Sequence, residues 1–107
     1  MTAREKFEII YAPLVKRHLR AIASKHHSLI RDEIEAQLRV EPDAETRNRK
    51  PLKRSVIFGA RWELRFGPKN RFRVFYRINR SQKRVEILAI GEKEGARLLL
   101  GGEEIDI

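Results

Sequence analysis

Between residues 61 and 90 apolar and polar residues alternate with two interruptions, and this pattern commits the stretch to an antiparallel sheet. In Arg61-Trp62-Glu63-Leu64-Arg65-Phe66 the residues Trp62, Leu64 and Phe66 fall on one face. Gly67-Pro68-Lys69-Asn70 has the composition of a turn. In residues 71–78, Phe72, Val74, Tyr76 and Ile78 share a face, and Arg71, Arg73, Phe75 and Arg77 share the opposite one. Asn79-Arg80-Ser81-Gln82 is a second turn, and Val85, Ile87 and Ala89 alternate in a further strand over 84–90. Ser55-Val56-Ile57-Phe58 is positioned to add an edge strand before Gly59. The expected product is a meander of three to four antiparallel strands with one apolar face that needs a cover and one basic face left in water.

The N-terminal third supplies the cover. Phe7-Glu8-Ile9-Ile10-Tyr11 is a short strand-like run, and Pro13 then suits the first turn of a helix. Leu14, Val15, Leu19 and Ile22 recur at helical spacing to about Ser24. Ile30, Ile34 and Leu38 form one stripe of a second helix that ends at Pro42. The short connection Lys25-His26-His27-Ser28 predicts that the two helices form an antiparallel hairpin. Residues 41–54 hold two prolines and no periodicity, and read as a polar, increasingly basic connector. The whole is an α+β fold, read as a single domain over residues 1–107.

Charge narrows the function. The chain carries 24 Lys plus Arg against 15 Asp plus Glu, a net +9. Residues 61–97 alone hold eleven basic and four acidic residues, whereas the last ten hold three acids and no base. Basicity confined to one region predicts an anionic partner, nucleic acid first. With no cysteine, disulfides, thiolate catalysis and cysteine-based zinc sites are excluded. No segment approaches the roughly 20 apolar residues of a membrane span, so no membrane association is expected and the cytoplasm is the expected compartment. No cofactor or metal is implied: His18, His26 and His27 lack a carboxylate partner at ligand spacing and lie far in sequence from the basic strands. Glu103-Glu104-Ile105-Asp106-Ile107 reads as a solvated acidic tail.

The basic strands form the candidate site. Arg71, Arg73 and Arg77 project from one face of one strand, and Arg61 and Arg65 from the polar face of its expected neighbour. Like charges that close repel unless an anion bridges them. Phe75 among them is either a ring on which a base can stack or a residue buried beneath the C-terminal tail. Trp62 and Tyr76 fall by parity in the core.

These residues also resemble a known family. Arg73-Val74-Phe75-Tyr76-Arg77, followed by Ile87-Leu88-Ala89-Ile90-Gly91 and Lys93, is similar to the signature of RelE/ParE-type toxins of bacterial type II toxin–antitoxin modules. Arg47-Asn48-Arg49-Lys50-Pro51-Leu52-Lys53 resembles the Pro-Leu-Lys segment that precedes the first central strand in that family. The resemblance implies a toxin neutralised by a cognate antitoxin protein. It implies either metal-free, ribosome-dependent mRNA cleavage, or inhibition of a protein target such as DNA gyrase, or a member that binds only antitoxin or nucleic acid. For cleavage, Arg73 matches the phosphate-stabilising arginine of the central strand, Arg65 a basic slot on the preceding strand, and Lys93 a basic residue placed to assist the leaving 5′-oxygen. Glu63 is the nearby carboxylate available as a base. Arg61, Arg71, Phe75, Arg77, Lys50 and Lys53 are the expected nucleic-acid contacts. The stretch Arg97-Leu98-Leu99-Leu100 lacks the tyrosine or histidine that RNA-cleaving members carry near the C-terminus, and Lys50 stands where some place a glutamate.

Overall fold

The structure, a computed structural model, describes residues 6–54 and 57–105. Strand β1 (Glu8–Tyr11) leads into helix α1 (Leu14–Arg20), a single 3-10 turn (Ser24–His26) and helix α2 (His27–Leu38). Strands β2 (Arg49–Pro51), β3 (Trp62–Phe66), β4 (Phe72–Asn79), β5 (Arg84–Glu94), β6 (Arg97–Leu100) and β7 (Glu103–Ile105) follow. Among the described residues the sheet therefore has seven strands in place of the expected three to four. Its order is β2-β3-β4-β5-β6-β7, antiparallel throughout, and β1 joins it by pairing parallel to the first half of β5. No helix among the described residues is long and apolar enough to cross a membrane.

Both helices form where apolar spacing places them. Ile30, Ile34 and Leu38 are the buried stripe of α2. Helix α2 begins at His27, and helix α1 ends at Arg20, short of the expected Ser24. His27 explains both boundaries: its Nε2 lies 2.8 Å from the Leu19 carbonyl oxygen and 2.9 Å from that of Ile22. One ring thus adds a donor to carbonyls at and just beyond the end of α1 and ties them to the start of α2. His18 fixes α1 to the sheet, its Nδ1 accepting from the Ile90 backbone N–H at 3.2 Å. That role requires an unprotonated nitrogen, and burial, with the nearby Arg17, lowers the pKa of the ring.

The helices cover the face carrying Leu64, Phe66, Phe72, Val74 and Tyr76, which with Phe7, Val15, Ile22, Ile30, Ile34 and Leu38 make the larger core. Trp62 packs against it, stacked on Tyr76. The Tyr76 hydroxyl donates to the Pro42 carbonyl oxygen at 2.8 Å. The opposite face is not the open basic surface expected. Phe75 is fully buried there with Ile57, Ala60, Leu88, Ala89, Leu98 and Leu100 in a second apolar cluster. Two features produce it. A β-bulge shifts the register between Phe75 and Tyr76, so that Ala89 pairs with Phe75 and Ile87 with Tyr76. Leu88 is the extra residue, and beyond it the alternation reverses: Val85, Ile87 and Ile90 enter the larger core, Ala89 the second. The C-terminal segment, expected as a solvated tail, turns back as the β6–β7 hairpin through Gly101 and Gly102, at φ of +62° and +83°. It brings Leu98 and Leu100 into the second cluster. Asp106 and Ile107 lie outside the described residues, as do Ser55 and Val56 of the expected edge strand; Ile57 and Phe58 belong to no strand. The neighbour of β3 is instead β2, from the segment read as connector.

Gly91 is where this hairpin can be tested. A Cβ there would stand 2.6 Å from Leu100 Cδ2 and 2.9 Å from the Leu99 carbonyl oxygen. The second contact is backbone, so relief requires β5 and β6 to part. Gly91→Ala is expected to lower unfolding free energy by about 1–3 kcal/mol in urea denaturation. Hydrogen exchange should show the loss concentrated in β6 and β7.

Candidate functional site

Register determines which arginines meet. On β3 and β4, Arg65 stands directly opposite Arg73, and Glu63 is opposite Phe75 on the same face. Two guanidinium groups facing each other on adjacent strands would repel, and Glu63 resolves this. Its Oε1 accepts from Arg65 Nε at 2.7 Å and its Oε2 from Arg73 Nη1 at 3.3 Å. Glu63 and Arg73 are both buried, at 4% and 8% exposure. Arg73 Nε donates in turn to the Asn70 carbonyl oxygen at 2.9 Å. Of the four expected catalytic residues, Arg65, Arg73 and Glu63 are therefore in contact, but as a closed ion-pair network in which each carboxylate oxygen already has a guanidinium partner.

Three more of the expected basic residues are paired with carboxylates. Arg77 gives Nε and Nη2 to Glu86 Oε2 at 3.0 and 2.9 Å, across the β4–β5 register that places the two residues opposite. Arg71 is paired with Glu92, and Lys50 Nζ lies 3.3 Å from Glu45 Oε2. Of the four acids in the basic region, three hold an arginine of the face they border. Sequence reading missed these partners because they appear only once cross-strand register is known. Phe75, buried under Leu98 and Leu100, presents no ring to a base, which corrects the expectation of a stacking role.

Four open features remain. Lys69, Arg71 and Lys93 line a pocket of about 260 Å³ beside the β3–β4 turn. It forms because the Lys93 backbone N–H donates to the Arg71 carbonyl oxygen at 2.7 Å, drawing the end of β5 to the start of β4. Lys53 is exposed on the segment after β2. Arg61 lines a separate cleft with Arg77 and Arg80. An apolar groove of about 310 Å³ runs between α1 and α2, walled by Tyr11, Val15, Leu19, Ile30 and Ile34 and flanked by Lys16 and Arg31.

The model of one protein family, the ParE toxin of the type II toxin–antitoxin system parDE, matches residues 3–96. Among solved structures, the fold resembles a chain in the crystal structure of the toxin–antitoxin complex RelBE2 from Mycobacterium tuberculosis. The TM-score is 0.69 at 20% identity, over 87% of this chain and 98% of that one. At that identity the likeness bears on the fold alone. None of the curated proteins matches the sequence. The residues matched by the family stop at Ala96, so the β6–β7 hairpin that buries Phe75 lies beyond them.

Proposed function

The chain belongs to the ParE toxin family of type II toxin–antitoxin systems, and from that premise we propose that it arrests growth by binding a protein target such as DNA gyrase rather than by cutting mRNA. The observation that carries this reading is Glu63. Metal-free RNA cleavage needs guanidinium groups free to meet the charge that develops on the phosphoryl oxygens. Here the two arginines expected to do so already share a buried carboxylate. A phosphate entering between them would have to displace Glu63 or sit beside its negative charge. The absence of tyrosine and histidine from Arg97-Leu98-Leu99-Leu100 points the same way, since nothing there can act as acid or stack a base.

A second reading, ribosome-dependent mRNA cleavage, is favoured by the Lys69, Arg71 and Lys93 pocket, whose cations could hold a phosphate away from Glu63. Under either reading the partner in the resting cell is a cognate antitoxin. The α1–α2 groove suits it: an amphipathic segment would fill the apolar walls while acidic flanks meet Lys16 and Arg31. In the experiment that separates the readings, the toxin is induced without antitoxin, then labelled-methionine incorporation, mRNA ends and plasmid supercoiling are followed. Early loss of supercoiling with intact mRNA is expected. Discrete mRNA cleavage preceding any change in DNA would overturn the protein-target reading in favour of the second.

A further inference from the structure

At the end of β4 remote from the turn that carries Lys69, the side chains of Arg61, Arg77 and Arg80 line a cleft of about 490 Å³ with Trp62, Gly59 and Asp43. We propose that this cleft binds a phosphate-bearing ligand with a planar base, the guanidinium groups taking the phosphate and Trp62 the base. The proposal does not depend on which target the toxin attacks.

The charges are arranged for an anion. Arg77 is braced by Glu86, and Arg80 is paired with Asp43, so both guanidinium groups are held at the cleft by carboxylates that leave part of each fork free. Arg61 has no carboxylate within ion-pairing distance among the described residues and is exposed. It precedes β3 directly, where its backbone N–H donates to the Tyr76 carbonyl oxygen at 3.0 Å, and this sets it beside Arg77. Three guanidinium groups therefore line one cleft, two of them braced by a carboxylate, Glu86 on Arg77 and Asp43 on Arg80, and the third, Arg61, carrying none among the described residues. A phosphate is the anion whose oxygens match such forks in pairs.

The wall is aromatic. Trp62 is half-buried, with one side stacked on Tyr76 at 6.2 Å between ring centres and 16° between planes. Stacking on Tyr76 holds the indole in place without covering it, and an indole beside arginines is a surface for a base. Gly59 keeps the entrance clear: a Cβ there would lie 3.2 Å from Arg77 Nη1, and its φ of +81° favours glycine on backbone grounds as well.

Trp62 is the single tryptophan of the chain, so tryptophan emission comes from this one cleft residue. The full chain would be titrated with adenosine monophosphate, with inorganic phosphate and with a 5′-phosphorylated single-stranded RNA. Saturable change of Trp62 emission by the nucleotide is expected, with inorganic phosphate competing. Arg61→Ala should weaken binding about tenfold or more, with an unchanged circular dichroism spectrum because that side chain is exposed. Equal affinity for nucleotide and RNA would identify a free nucleotide as the source. Much tighter RNA binding with a steep salt dependence would identify the end of a strand; both results support the cleft. Lys25→Ala, on the 3-10 turn, is the control. No saturable response at millimolar nucleotide, or equal weakening by Lys25→Ala and Arg61→Ala, would overturn the proposal and leave only diffuse attraction to a +9 chain.

Discussion

Glu63→Ala is expected to lower the unfolding free energy by about 3 kcal/mol, because it strands a buried charge. Arg73 is only 8% exposed and has Glu63 as its sole carboxylate among the described residues, where just the Asn70 carbonyl oxygen is left to it once the glutamate is gone. The loss is compounded by Arg65, which stands directly across from Arg73 and would then face it with no negative charge between. The Arg65 side chain is far more exposed, so water screens its share and most of the effect belongs to Arg73. A double-mutant cycle makes the mechanism checkable by urea denaturation. Arg73→Met alone should also destabilise, whereas Glu63→Met combined with Arg73→Met should recover most of the loss, since an apolar pair needs no desolvated partner. Losses that simply add in the double variant would show that the two residues are not coupled. The variant Glu63→Gln also bears on function: in a toxin that cuts RNA with Arg73 beside Glu63 it should change the rate of cleavage, whereas a toxin that acts by binding a protein should keep its activity.

Arg49→Ala should cost a comparable amount, about 3 kcal/mol, for a different reason. Arg49 is buried at 8% exposure and has no carboxylate partner among the described residues. Its Nη1 donates to the carbonyl oxygens of Gln37 at 2.6 Å and Glu41 at 3.0 Å, and its Nε to Thr46 Oγ1 at 3.4 Å. The Gln37 carbonyl belongs to the last turn of α2, where oxygens lack an intrahelical donor and the helix dipole is negative. One guanidinium thus closes the helix, pins the connector after it and anchors β2. Lysine carries the charge without the fork, so Arg49→Lys should recover only a minor part of the stability. Thermal denaturation measures both. Hydrogen exchange in the Arg49→Ala protein should rise first at the C-terminal turn of α2. A loss under about 1 kcal/mol would mean that water replaces the guanidinium without difficulty.

Periodicity carried most of the architecture. The stripe of Ile30, Ile34 and Leu38 and the alternation through Trp62, Leu64, Phe66, Phe72, Val74 and Tyr76 place these residues in the core, where the structure has them. Features set by non-local pairing were harder to read. The bulge at Leu88 leaves no local trace, so alternation alone puts Ala89 on the wrong face. The C-terminal hairpin did leave a signal, in Leu98-Leu99-Leu100 followed by two glycines, but the acidic residues after it suggested a solvated tail. Arg49 looks no different in sequence from Arg47 or Arg54; only the fold buries it. Arg73 was recognisable by resemblance as the central arginine. Its carboxylate partner was in the sequence two positions before Arg65, yet the pairing depends on the register of β3 against β4.

The parallel pairing of β1 with β5 has a kinetic consequence. Glu8 meets Arg84 and Tyr11 meets Ile87, so contact between these strands closes a loop of most of the chain. The β3–β4, β4–β5 and β6–β7 hairpins are local and can form early, whereas β1 has no partner until β5 exists. During synthesis, which proceeds from the N-terminus, the first strand must wait for nearly the last. The sheet therefore cannot close until β5 has left the ribosome. A toxin assembled this way shows no finished surface while only its first strand and its helices exist, which gives an antitoxin already present in the cell time to meet it.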